Sequence, residues 1–315
     1  ILVTAYLYFL FTGPGLADFA ARRMDNSLLV EAIRHGRWTG FSLDRVLYVD
    51  SLVMIGTNVL LVSLVLLLFR RFGRMRPNAV LVAAAAVMAA SLARIPLYGD
   101  YLDALADGRW GQVLLLNWLV NKNNPILPYL AFGLAGAWIG LRLYGGRSLR
   151  PVTWTGILLF LSGMAAYVFL PDTMLQRSID AKWYSIMTAQ LGLFCLMIRG
   201  ATALLDRKPG PVTGFAAPAV RFLVRFGQAG LTAFFWESIV AALAHRLLVM
   251  LWPGLSLSIP GALLFGLVLA LLWGFALMAW EKAHYVGSVE HSYGFVVSRL
   301  GADSAKARTL RGDAG

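Results

Sequence analysis

The sequence predicts an all-α fold: a polytopic bundle of transmembrane helices, about eight or nine spans, plus one half-length re-entrant or interfacial segment. Three observations predict it. Of 315 residues, 59% are hydrophobic and only 14% charged, against roughly a quarter charged in a soluble domain. The apolar residues fall in runs of about 20, the length that crosses a bilayer. The basic residues collect between those runs, as the positive-inside rule requires. Residues 1–300 read as a single transmembrane helical domain and 301–315 as a polar C-terminal tail on the cytoplasmic side.

Span one is Ile1 to Ala21, interrupted by Gly13-Pro14-Gly15. A connector from Met24 to Arg45 follows, too charged to cross, with Glu31, Arg34, His35, Arg37, Asp44 and Arg45. Span two runs from Val46 to Phe69 and span three from Pro77 to Leu97. The half-length run Gln112 to Val120 stops at Asn121-Lys122-Asn123-Asn124. Pro125 then opens span four, to Tyr144; the asparagines are placed to cap it and proline suits a first turn. Non-helical backbone at that depth needs protein or trapped water around it, so the stretch reads as the mouth of a polar cavity. Spans five to eight are Pro151 to Leu170, Tyr184 to Leu205, Ala229 to Leu251 and Gly261 to Trp280. Basic loops after spans two, four, six and eight put those ends in the cytoplasm, with Asp100, Asp103, Asp107, Asp172 and Asp180 opposite. Span one departs from this rule through Arg22 and Arg23.

The net charge of +12 would suit nucleic acid, but its placement between apolar spans points to phospholipid headgroups. Nucleic acid is therefore excluded as a partner. The single cysteine, Cys195, lies in an apolar span, so no disulfide forms within the chain. Four histidines without metal-ligand spacing predict no metal site. The chain opens on Ile1-Leu2-Val3 with neither an initiator Met nor a basic leader, so the natural N-terminus is expected upstream.

Four stretches carry a resemblance. Tyr6 to Arg23 runs through a glycine-containing bend into a basic end. Arg45 to Gly56 reads RVLYVDSLVMIG, Asn124 to Gly140 reads NPILPYLAFGLAGAWIG, and Gly227 to Val240 reads GQAGLTAFFWESIV. In this order they resemble the integral-membrane acyltransferase superfamily, which includes heparan-α-glucosaminide N-acetyltransferase-like and YeiB-like proteins and, more remotely, acyltransferase-3. The resemblance covers most of the chain loosely. The family's opening Asp-x-x-Arg-Gly helix, often with a His, is not in the sequence, and Tyr129 stands where the family often has Trp. The resemblance implies transfer of an acyl (acetyl) group from acyl-CoA, as donor substrate, to a sugar or similar acceptor. It also implies a bacterial inner-membrane setting.

Residues that could carry such chemistry are few. Glu237 lies midway along span seven, where an ionisable side chain normally faces a bundle interior or a cavity. His245 falls about two turns further on the same face, about 12 Å along the axis. His35, between Arg34 and Gly36, is a third candidate for acid–base catalysis. Asp50, at the start of span two, and Asn121 and Asn124 are candidates for holding the acceptor. Arg70, Arg71 and Arg147 are candidates for the CoA phosphates, with lipid anchoring as the plainer use. Gly133, Gly136 and Gly140 form a small-residue ridge suited to close helix packing.

The leading expectation is thus a membrane acyltransferase. The alternative is a catalytically silent structural or assembly subunit of a larger membrane complex, whose partners would be a second copy or other membrane subunits beside lipid. A transporter ranks third, because only one broken helix is evident.

Overall fold

The computed structural model describes residues 5, 7, 8, 11, 16–18, 23–25, 27–36, 38, 51–73, 76–120, 124–171, 181–205, 217–295 and 298–299. Among the described residues the protein is helical apart from one short antiparallel ladder, in which β1 (Leu16–Asp18) pairs with β2 (Arg23–Asp25), Ala17 opposite Met24. Seven helical segments are long and apolar enough to cross a membrane among the described residues. The multi-pass membrane reading therefore holds. Span one lies largely outside the described residues. By contacts the chain clusters into two compact units, Ile1–Leu7 with Phe41–Pro209, and Tyr8–Gly40 with Gly210–Gly315.

Among the described residues the first unit's membrane helices begin with α2 (Ser51–Arg71), an almost unbroken Leu/Val run closed by Arg70-Arg71; α1 (Leu28–His35) belongs to the second unit. Gly73 follows at φ +63°, a left-handed backbone that stops the helix without a side-chain penalty. Pro77 then starts α3 (Pro77–Ala90) at the position where a missing N–H costs nothing. The helix does not simply end at Leu97. A 3-10 turn, Ser91–Ala93, leads into α4 (Arg94–Ala106). Pro96 accounts for the turn, since its ring removes an N–H and crowds the preceding turn. The Met88 carbonyl at the break accepts from Ser91 Oγ and from the Tyr184 hydroxyl, each at 2.5 Å.

After Gly108, also left-handed at φ +66°, α5 (Trp110–Val120) folds back along α4. At about 16 Å it is too short to cross a hydrocarbon core of about 30 Å, as the half-length run predicts. Arg94 explains how this hairpin closes. Its side chain is buried, 2% exposed. Its Nη2 donates to the Val120 carbonyl at 3.2 Å, at the end of α5, where carbonyls lack helical partners. Its guanidinium also lies over the Trp183 ring at 5.2 Å.

Helix α6 (Ile126–Tyr144) starts differently from the expectation. Pro125 holds the cap position and no side chain caps the helix. Leu127 is extended (φ −91°, ψ 118°) and the Leu127–Pro128 peptide is cis. Pro125 and Pro128 have no N–H, so little remains in the first turn for an asparagine to cap. α6 packs on α2 and α3 around Val80, Leu134, Trp138 and Ile139.

The closest helix pairing is α7 (Arg150–Phe169) against α8 (Ala181–Leu205). A Cβ on Gly163 would meet Ala189 N at 2.5 Å and Ser185 O at 2.6 Å. One on Gly192 would collide with Phe160 N and with Gly156 O. Backbones in near-contact, with small residues at the seam, are the membrane form of tight packing. The ridge expected on α6 works this way only at Gly133, which receives Asn58 and Val62; nothing approaches Gly136 or Gly140.

The second unit holds α1 (Leu28–His35), α9 (Ala217–Gln228), α10 (Gly230–Leu251) and α11 (Ile259–Glu281). α1 packs against α10. α9 is an amphipathic helix within the basic stretch after span six. Its Phe222 ring sits on Gly274 of α11, and Arg225 Nε pairs with Glu281 at 2.8 Å. Residues 289–295 are helical. From this segment Glu290 Oε1 accepts from the Leu231 and Thr232 amides at 2.5 and 3.1 Å, and Oε2 from the Thr232 hydroxyl. A carboxylate distant in sequence thereby caps the α10 N-terminus.

Candidate functional site

Two histidines far apart in the chain meet in the second unit. Arg34 and His35 end α1, where Gly36 closes the helix at φ +67° and its N–H returns to the Ala32 carbonyl. His245 and Arg246 lie on the last third of α10. These four side chains, with Ala242 and Val249, line one cavity of about 400 Å³. Arg246 Nη1 donates to the Ile33 carbonyl, which ties α1 to α10 and fixes one wall. Burial of Leu28, Val30 and Glu31 on the inner side of α1 leaves Arg34 and His35 exposed at its end.

Glu237 stands apart from this pair. It is exposed within a groove of about 470 Å³ between α10 and α11, facing Gly266, Ala270 and Trp273. The two-turn spacing puts Glu237 and His245 on one helix, but they line different hollows.

A third cavity belongs to the first unit. It holds about 670 Å³ between α2, α6 and α8, lined by Met54, Val62, Phe132, Gly136, Phe194 and Cys195 among others. It is apolar, and its lining does not include Asn124; Asn121 to Asn123, at the expected mouth of a polar cavity, lie outside the described residues. Asn58 and Tyr129 are the polar-bearing side chains in its lining. Asn58 Nδ2 donates to Met54 Sδ at 2.9 Å, and its Oδ1 is buried against Gly133.

Asn124 is half-buried at the foot of α6. Arg70, Arg71 and Arg147 are all exposed at helix ends or in a loop. Asp50 and Asn121 lie outside the described residues. No group of three or more His, Cys, Asp or Glu suited to a metal occurs among the described residues. Sequence reasoning missed Arg94. Its signal was present: a lone arginine in the apolar run Ala90-Ser91-Leu92-Ala93-Arg94-Ile95, two residues before Pro96. Comparison with protein families, curated proteins and solved structures finds no match.

Proposed function

We propose that the protein is a membrane-embedded acyltransferase, moving an acyl group from acyl-CoA to a sugar or similar acceptor. The observation that carries this reading is the meeting of His35 and His245 in one cavity beside Arg34 and Arg246. An imidazole there takes the proton of the acceptor hydroxyl or amine as it attacks the thioester carbonyl. The carbon–sulfur bond then breaks, and the proton passes to the departing CoA thiolate. A guanidinium is suited to the oxyanion formed between these steps. The ordered resemblance supports the same chemistry. In this reading the protein sits in a bacterial inner membrane with its C-terminus cytoplasmic.

Labelled acetyl-CoA and a glycan panel, incubated with the purified protein, give the test. Transfer that falls about 10²–10⁴-fold in His35→Ala or His245→Ala supports the assignment. Absence of transfer by the wild type across the panel overturns it.

A second reading, a silent subunit of a larger membrane complex, is favoured by one observation: Glu237 lies in a different groove from the histidines. Mild-detergent purification separates the two, because a silent subunit co-migrates with other chains at fixed stoichiometry.

A further inference from the structure

We infer that the cavity between α1 and the end of α10 binds a phosphoryl group, presented by a lipid headgroup or by a soluble phosphate ester. The inference rests on the preceding reading for the role of the bound group, which would belong to the acceptor.

Charge is the first argument. Two arginines and two histidines converge on the cavity, and among the described residues its other lining side chains, Ala242 and Val249, are apolar. Such a lining repels a metal cation and favours an anion. A phosphate, with several acceptor oxygens, matches more of these donors than a carboxylate does. Geometry is the second argument. The bond from Arg246 to the Ile33 carbonyl uses one of the five N–H groups of that guanidinium and holds the fork in place. Planar, fixed guanidinium forks are the usual means of gripping phosphate oxygens. Size is the third. About 400 Å³ exceeds a bare phosphate and leaves room for the sugar or glycerol it is esterified to.

Depth is the fourth argument. The cavity opens on the last turns of a candidate membrane span. Around it Leu243, Leu247, Met250 and Leu251 of α10 are exposed apolar side chains, and Trp252, 60% exposed, follows the helix. An apolar belt ending in a tryptophan marks the membrane–water boundary. Lipid phosphates lie at that level.

The test uses the full chain in detergent and has two arms. Native mass spectrometry compares retention of phosphatidic acid with that of diacylglycerol, which has the same tails and no phosphate. Calorimetry titrates inorganic phosphate. At least a tenfold preference for phosphatidic acid, or saturable phosphate binding, is expected. Loss of about tenfold or more is expected in Arg34→Gln and in His35→Gln. Neither substitution removes the tie between Arg246 and Ile33. Binding in the lipid arm alone identifies a headgroup; binding in both identifies a phosphate ester of either source. Equal retention of the two lipids together with no response to phosphate overturns the inference. So does phosphate-dependent binding that both variants leave unchanged. Acyl transfer to a phosphate-free glycan, measured in the same preparation, separates the two claims. Transfer without phosphate binding overturns this inference and leaves the acyltransferase reading. Phosphate binding without transfer supports the site and removes acyl transfer.

Discussion

Gly192 has no room for a methyl group. A Cβ there would press on the Phe160 backbone and on the Gly156 carbonyl at 2.6 Å, atoms that move only if the helices part. Gly192→Ala should therefore cost about 1–3 kcal/mol, the usual range for overpacking, and lower the thermal midpoint in detergent. Gly136→Ala is the control: nothing lies within 4 Å of its Cβ, so stability should hold or rise by about 0.5–1 kcal/mol. Glu290 makes a second prediction. Replacing it with alanine strips the acceptor from the Leu231 and Thr232 amides and the Thr232 hydroxyl. Hydrogen bonds to charged groups contribute about 1.5–3 kcal/mol. Glu290→Ala should then lower the midpoint and speed hydrogen exchange at Leu231 and Thr232, with Glu290→Gln between it and the wild type. At this scale residue types were readable in the sequence and partners were not. His35 and His245 stood out as candidates, but only the docking of α1 on α10 puts them in one cavity. The Gly156, Gly163 and Gly192 seam was invisible because small residues acquire meaning only when the facing backbone is known.

Helices were legible wherever a long apolar run had clear ends. α2 and α8 end within a few residues of their predicted bounds, since hydropathy alone decides them. Boundaries failed where backbone chemistry intervened. Pro96 does not end the third span; it converts one turn to a 3-10 helix and lets α4 continue to Ala106. α9 was hidden because Arg221 and Arg225 read as topology signals. Yet Phe222 and Phe226 stand one turn apart and give the helix an apolar side. The docking of α1 makes an element-scale prediction. Arg246→Gln removes the donor to the Ile33 carbonyl. Amide exchange over 28–36 should accelerate while exchange in α10 keeps its wild-type pattern, as read by exchange mass spectrometry. Equal acceleration in both helices would mean that α10 itself has loosened.

The membrane class follows from composition and the arrangement from packing. Alternating basic loops predict which helix ends share a side. α2 ends at Arg71, α3 and α4 lead to Asp107, and α6 returns to Arg147. Cysteines substituted singly at Arg71 and Arg147 should react with an impermeant maleimide from the cytoplasmic side, and one at Asp107 from the other. Labelling of all three from one side would contradict this topology. What composition could not convey was where hollows would form, because a cavity is set by which side chains fail to meet. The 670 Å³ hollow exists where Gly136 contributes no side chain between α2 and α8. Cys195, the one thiol of the chain, lies on its wall and is 2% exposed. The protein thus contains a native sulfur tag that water-borne reagents cannot readily reach. A small apolar alkylating reagent that partitions into the bilayer and enters the hollow should modify it slowly, and whatever fills that hollow should slow the reaction further.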